Sequence, residues 1–230
     1  MPTAEALKDT SLATFGSFIS KVYLWMTGGL AITAIVALFV NSNDSILAYL
    51  LTNPAALPIL LIAELILVIG LSGFINKLSS VAAMIMFAVY AVMNGLFFGV
   101  VIYGYEQASV FGAFAASAVT FLLMALYGLY TKSDLTSIGR IAQMGLIGLL
   151  VGLVINLFVP SDGLSRLLTF VGIFIFVILI AYDTQKLKHI AAEAEMSPDA
   201  NKFVILGALT LYLDFINLFI RLLQIMGKRK

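Results

Sequence analysis

The chain has 230 residues, of which 62% are hydrophobic and 11% charged, with a mean hydropathy of +1.08. A soluble domain is nearer half apolar and a quarter charged, so the solvent implied here is a bilayer. A net charge of +1 argues against a nucleic-acid surface, zero cysteines exclude disulfides and thiolate chemistry, and one histidine, His189, cannot build a His-rich metal site, which leaves carboxylates as the reactive groups.

The first seventeen residues are polar and mixed in charge, and 1–17 reads as a cytoplasmic N-terminal tail. The apolar run that follows is too long for a signal h-region and is expected to remain as a span. Seven runs are long enough to cross: 18–40, 55–75, 81–103, 109–130, 138–159, 164–182 and 203–226. They predict an all-α integral membrane protein, one seven-helix domain over 18–226, with a basic tail at 227–230. The links are short and rich in turn residues, such as Asn41-Ser42-Asn43-Asp44, Asn53-Pro54 and Pro160-Ser161-Asp162-Gly163. Only the link from Thr184 to Lys202 is long, and a short surface helix is expected within it. Small residues at Gly28, Gly29, Gly70, Gly73, Gly95, Gly99, Gly145, Gly148 and Gly152 read as places where helices pack closely.

Seven spans put Lys8, Lys21, Lys77, Lys132, Arg140, Lys186, Lys188 and Lys202 on the side of the N-terminus. The other side receives Arg166 and the tail's Arg221, Lys228, Arg229 and Lys230. The bias predicts a cytoplasmic N-terminus. The basic tail dissents, and a re-entrant last segment would return it to the cytoplasm. The length of the last run and its continuous polar stripe favour a full crossing. Six spans before the last suggest two groups of three, related by inverted topology, although no internal sequence match supports the repeat.

The stripe on the last run comprises Thr210, Asp214, Asn217, Arg221 and Gln224, spaced four, three, four and three apart on one helical face. Asp214 lies ~16 Å along this helix, about half of a ~30 Å hydrocarbon core. A carboxylate at that depth costs a few kcal/mol and should face protein or water, so the last helix is expected at the centre of the fold. Glu64 is mid-span in the second helix, either a protonated acid bonding across helices or a functional group. Asn94 and Asn156 read as interhelical hydrogen-bond partners, Thr210 as bonding its own helix, Arg221 and Gln224 as snorkelling to the interface, and His189 as solvated.

Asp183 closes the sixth run, where the helix macrodipole disfavours a carboxylate. It either pairs with Lys186 three residues on, or reaches toward Asp214 from the cytoplasmic side. Two carboxylates sharing a low-dielectric site tend to hold one proton between them and titrate as a unit.

Ala181-Tyr182-Asp183-Thr184-Gln185 and the stretch 206–219, centred on Leu213-Asp214-Phe215-Ile216-Asn217, resemble the signature of the Bax inhibitor family. Val22-Tyr23-Leu24-Trp25-Met26-Thr27-Gly28 and Tyr130-Thr131-Lys132-Ser133-Asp134-Leu135 are similar to bacterial members, and the resemblance runs from Tyr23 to the tail. It implies a last helix wrapped by the other six and a pH-sensitive calcium leak in a bacterial inner membrane, with Asp183 and Asp214 as the pH-sensing pair. Some relatives latch the sixth-helix aspartate with an arginine near the end of the second helix; here Ile75-Asn76-Lys77 leaves Lys77 as the latch candidate. Bacterial relatives are also linked to regulation of a membrane-bound AAA protease.

Calcium prefers oxygen ligands, which Asp183, Asp214, Asn217, Thr210 and Glu64 offer, with Arg221 as a further ion contact. So few carboxylates predict weak calcium binding at Asp183 and Asp214, and permeation rather than storage. No cofactor is expected. An intramembrane aspartyl protease would need a glycine-containing motif before its second aspartate, where Leu211-Tyr212-Leu213 stands, and a later Pro-Ala-Leu that is absent. The chain is therefore expected not to be an enzyme. A third reading is a binding module that tunes a protease or membrane quality control through the N-terminal tail and the long link.

Overall fold

The computed structural model describes the backbone of residues 4–230 and the side chains of residues 15–230. The tail expected at 1–17, and Lys8 with it, falls mostly outside the described side chains. The helices are α1 (Ala4–Asn41), α2 (Asp44–Thr52), α3 (Ala56–Gly73), α4 (Ser80–Tyr103), α5 (Gln107–Tyr130), α6 (Thr136–Phe158), α7 (Asp162–Glu195) and α8 (Asn201–Met226), with a 3-10 turn at Ile75–Lys77. All except α2 are long and apolar enough to cross a membrane, so the seven expected spans are all present. No strand is found among the described residues.

Two elements differ from the sequence expectation. The segment after Asn43 is too short to span, yet it forms α2. The Asn43 side chain caps it by accepting from the Ile46 N–H at 3.1 Å. Leu47 and Leu50 then bury against Val40. The second difference is α7, which does not stop near Tyr182 but runs on for twelve residues past Asp183, about three turns. Leu187, Ile190, Ala191 and Ala194 are buried at helical spacing, so nothing breaks the helix before the Pro198 turn. The long link therefore contains no separate surface helix, and Asp183 sits in a helix interior, where the macrodipole objection does not apply.

The chain forms two compact units, Met1–Gly104 with Leu187–Tyr212, and Tyr105–Lys186 with Leu213–Lys230. The first three spans fall in one unit and the next three in the other, and α7 and α8 each contribute to both. In the first unit α1 and α4 approach closely. A Cβ on Gly95 would lie 2.6 Å from Val36 Cβ, and one on Gly99 2.5 Å from Val40 Cβ. Gly28, Gly73 and Gly148 face open space and have no such role. In the second unit α6 packs on α7, with Gly145 against Ile175 and Gly152 against Leu168.

Helix α8 is the most buried span: 72% of its apolar window is inside the protein, against 11–44% for the other six. Its first half packs on α1 and α4, where Phe87 and Tyr90 meet Tyr212 edge-on at 5.7 Å each. Its second half packs on α5, with Phe121 5.7 Å and Phe114 5.5 Å from Phe215.

The two ends of α8 are tied to the two links that flank α4. At its start, Lys202 Nζ donates to the Asn76 carbonyl at 3.0 Å. Just before it, Asp199 accepts from the Ser80 N–H at 2.7 Å and from the Ser80 hydroxyl. At its end, the Glu106 N–H donates to the Lys228 carbonyl at 2.9 Å, the Lys228 N–H to Ser109 Oγ at 3.0 Å, and Arg229 lies over the Tyr105 ring. Helix α8 has the length and composition of a full crossing.

Candidate functional site

The expected partners meet in the second unit. Asp183 and Asp214 are 7% and 5% exposed, and their carboxyl groups lie within electrostatic reach of each other. Two carboxyl groups so placed tend to hold one proton between them. Asp214 Oδ2 is buried with no partner. Lys186, one turn along α7, is the cation whose field acts on Asp183, so the alternative ion-pair partner is present beside the carboxyl pair. Among the described residues no three His, Cys, Asp or Glu side chains come together, and the pair offers a divalent ion only two charged ligands.

The backbone that presents Asp183 is fixed by its neighbours in the motif. Gly128 of α5 lies directly against the Ala181 carbonyl, and Gly139 of α6 against the Tyr182 ring, at spacings where any side chain would collide. Gln185 donates to the Ser133 carbonyl and accepts from the Leu135 N–H, both at 2.9 Å, pinning the α5–α6 link to α7. The bacterial-type stretch at residues 130–135 and the signature stretch at 181–185 are thus in contact.

On the α8 stripe, Thr210 donates to the Leu206 carbonyl at 3.0 Å, as expected, and Asn217 Nδ2 to the Leu213 carbonyl at 2.8 Å. Arg221 does not snorkel. It is 7% exposed, turned toward Gly172 of α7, with Nη1 on Gln224 Oε1 at 3.2 Å. Gln224 is exposed at its other side and also accepts from Thr169 at 3.1 Å.

In the first unit, Glu64 is buried with Oε1 unpartnered, within electrostatic reach of Tyr90 and Tyr212. Thr33 Oγ1 gives its proton to the Ala91 carbonyl at 2.9 Å, so the Tyr212 hydroxyl, 2.6 Å away, donates to Thr33. Asn156 accepts from the Ser161 N–H at 3.1 Å at the end of α6, and departs from the interhelical role expected of it because a donor lies within two turns. Asn94 is buried on α4, within reach of Tyr90 one turn before it. Thr33, Tyr90 and Tyr212 went unnoticed in the sequence, since a tyrosine or threonine on an apolar face reads as core. Lys77, the latch candidate, lies over the Phe74 ring at 5.7 Å, and His189 is exposed as expected.

The sequence model of the family described as "Inhibitor of apoptosis-promoting Bax1" matches residues 16–230. The chain is 41% identical over 216 residues to the inner membrane protein YbhL of Escherichia coli K12, covering 93% of this chain and 92% of that one. It is 41% identical over 213 residues to an uncharacterized protein of Deinococcus radiodurans, covering 93% and 91%. An uncharacterized membrane protein of Streptococcus pyogenes is 35% identical over 213 residues, covering 92% of each.

Proposed function

Because the chain belongs to the Bax inhibitor family and is, like its Escherichia coli relative, a multi-pass inner-membrane protein, we propose that it is a pH-sensitive calcium (cation) leak gated by Asp183 and Asp214. The observation that supports this most is that two buried carboxyl groups lie within electrostatic reach of each other, with Asp214 Oδ2 left without a partner. One shared proton holds α7 to α8 at that level. When it leaves, two negative charges face each other in a poorly solvated site and repel. Among the described residues, Lys186 is the cation acting on Asp183, while Asp183 is the charge acting on Asp214. The pair therefore separates by Asp183 swinging toward Lys186, and the α7–α8 seam changes with it.

A cation reaching the seam meets Asp214 and the side chain of Asn217; these are contacts for passage, not a storage site. The protein catalyses no covalent step and carries no cofactor. Its N-terminus is cytoplasmic. Purified protein in liposomes loaded with a calcium indicator tests the proposal: calcium should cross without any partner, at a rate that changes with pH. Protein that is folded yet passes no calcium at any pH would instead favour a regulator of a membrane-bound protease.

A further inference from the structure

Arg221 is the group on α8 that a cation path does not call for. Its side chain is 7% exposed, Nε is buried with no acceptor, and among the described residues no carboxylate acts on it. A buried, unpaired charge is costly, and a side chain this long could have reached the interface instead. Two neighbours hold it inward. Gly172 of α7 leaves the space: a Cβ there would lie 3.0 Å from Nε and 3.2 Å from Cδ. Gln224 takes Nη1 and is itself held by Thr169.

Asp214 and Arg221 are seven residues apart on one helix, about two turns or ~10 Å, and within about 20° of the same face. Each carries a buried polar atom with no partner, Oδ2 on one and Nε on the other. The polar line through the second unit therefore has an acid at one level and a fixed cation two turns beyond.

We propose that Arg221 is the charge barrier of this path, seated by Gly172 and Gln224, and that it holds back divalent cations more strongly than monovalent ones. The inference rests on the leak reading above. Guanidinium stays charged throughout the accessible pH range, so the barrier is constant while the aspartate pair switches. The energy of an ion in its field scales with the ion's charge. Removing the charge should therefore raise calcium flux by about the square of the factor by which potassium flux rises, for example ~10-fold against ~3-fold.

The test is calcium and potassium flux into liposomes, at one pH and one ionic strength, for the parent protein and for Arg221→Gln, Arg221→Met and Arg221→Lys. The methionine variant guards against misfolding, because an apolar side chain of similar length in place of a buried charge is often neutral or stabilising. Arg221→Gln or Arg221→Met should raise both fluxes with the squared relation, and Arg221→Lys should stay near the parent. A conducting parent whose fluxes are unchanged in a folded Arg221→Met overturns the barrier alone. Equal factors for the two ions also overturn it, since they indicate a steric plug. A parent and an Arg221→Met that are both silent to both ions overturn the leak reading and the barrier together.

Discussion

At the scale of single residues, the carboxyl pair separates from its polar neighbours by what each group is already bonded to. Asp214 keeps one oxygen free, whereas the Asn217 amide nitrogen is spent on its own helix carbonyl. Asp214→Asn should therefore flatten the pH response of liposome flux from about pH 6 to about pH 8, a range in which coupled carboxylates exchange a shared proton. Asn217→Ala should change the amplitude and keep the profile; an Asp214→Asn profile matching the parent would remove Asp214 from the sensor. Asp214 was legible in the sequence because the three-and-four spacing of its stripe is local. For Asp183 the span order left two partners open, Lys186 and Asp214, and the resemblance implied Asp214, which lies on a different helix. The Thr33–Tyr212 bond was not legible at all: its partners are 179 positions apart and neither stands out from an apolar helix.

At the scale of elements, glycines that looked alike in the sequence fall into two classes. Gly99 has Val40 where a side chain would go, and Gly148 has open space. Gly99→Ala should cost about 1–3 kcal/mol through overpacking against α1. Gly148→Ala should be neutral or stabilise by about 0.5–1 kcal/mol through helix propensity. Thermal unfolding in detergent measures both, and equal effects would mean that the α1–α4 approach is not close.

The α7–α8 link makes a second prediction. Hydrogen bonds from the Ser80 hydroxyl and N–H hold the Asp199 carboxyl below the usual carboxylate range. A group whose folded value is lowered contributes stability above its unfolded value, and loses it as pH falls through the folded one. Asp199→Ala should therefore melt lower than the parent at neutral pH, and the gap should close below about pH 4. A gap independent of pH would show that the carboxylate charge is not what holds the α4 N-terminus. Proline and asparagine marked where most helices stop, but the continuation of α7 past Asp183 was missed. The link's many charges hid an apolar stripe at Leu187, Ile190, Ala191 and Ala194.

At the scale of the whole molecule, composition and run length alone carried the seven spans, and the last helix is the most buried of them, as its polar stripe required. Helix α8 has the length and composition of a full crossing, so its N-terminus and the basic tail should lie on opposite sides of the membrane. With the cationic residues biased toward the N-terminal side, a tag at residue 1 should be protected in intact cells and a tag after Lys230 accessible from outside. Both tags protected would contradict a full crossing by α8.

The central claim is that Asp183 and Asp214 are one switch and not two sites. The most direct measurement is a double-variant cycle of pH-dependent calcium flux in liposomes, comparing Asp183→Asn, Asp214→Asn and the double variant with the parent. A shared proton predicts strong non-additivity: either single variant removes most of the pH response, and the second substitution changes little further. Single effects that simply add would contradict the account, leaving Asp183 as the partner of Lys186 and Asp214 as a separate buried acid.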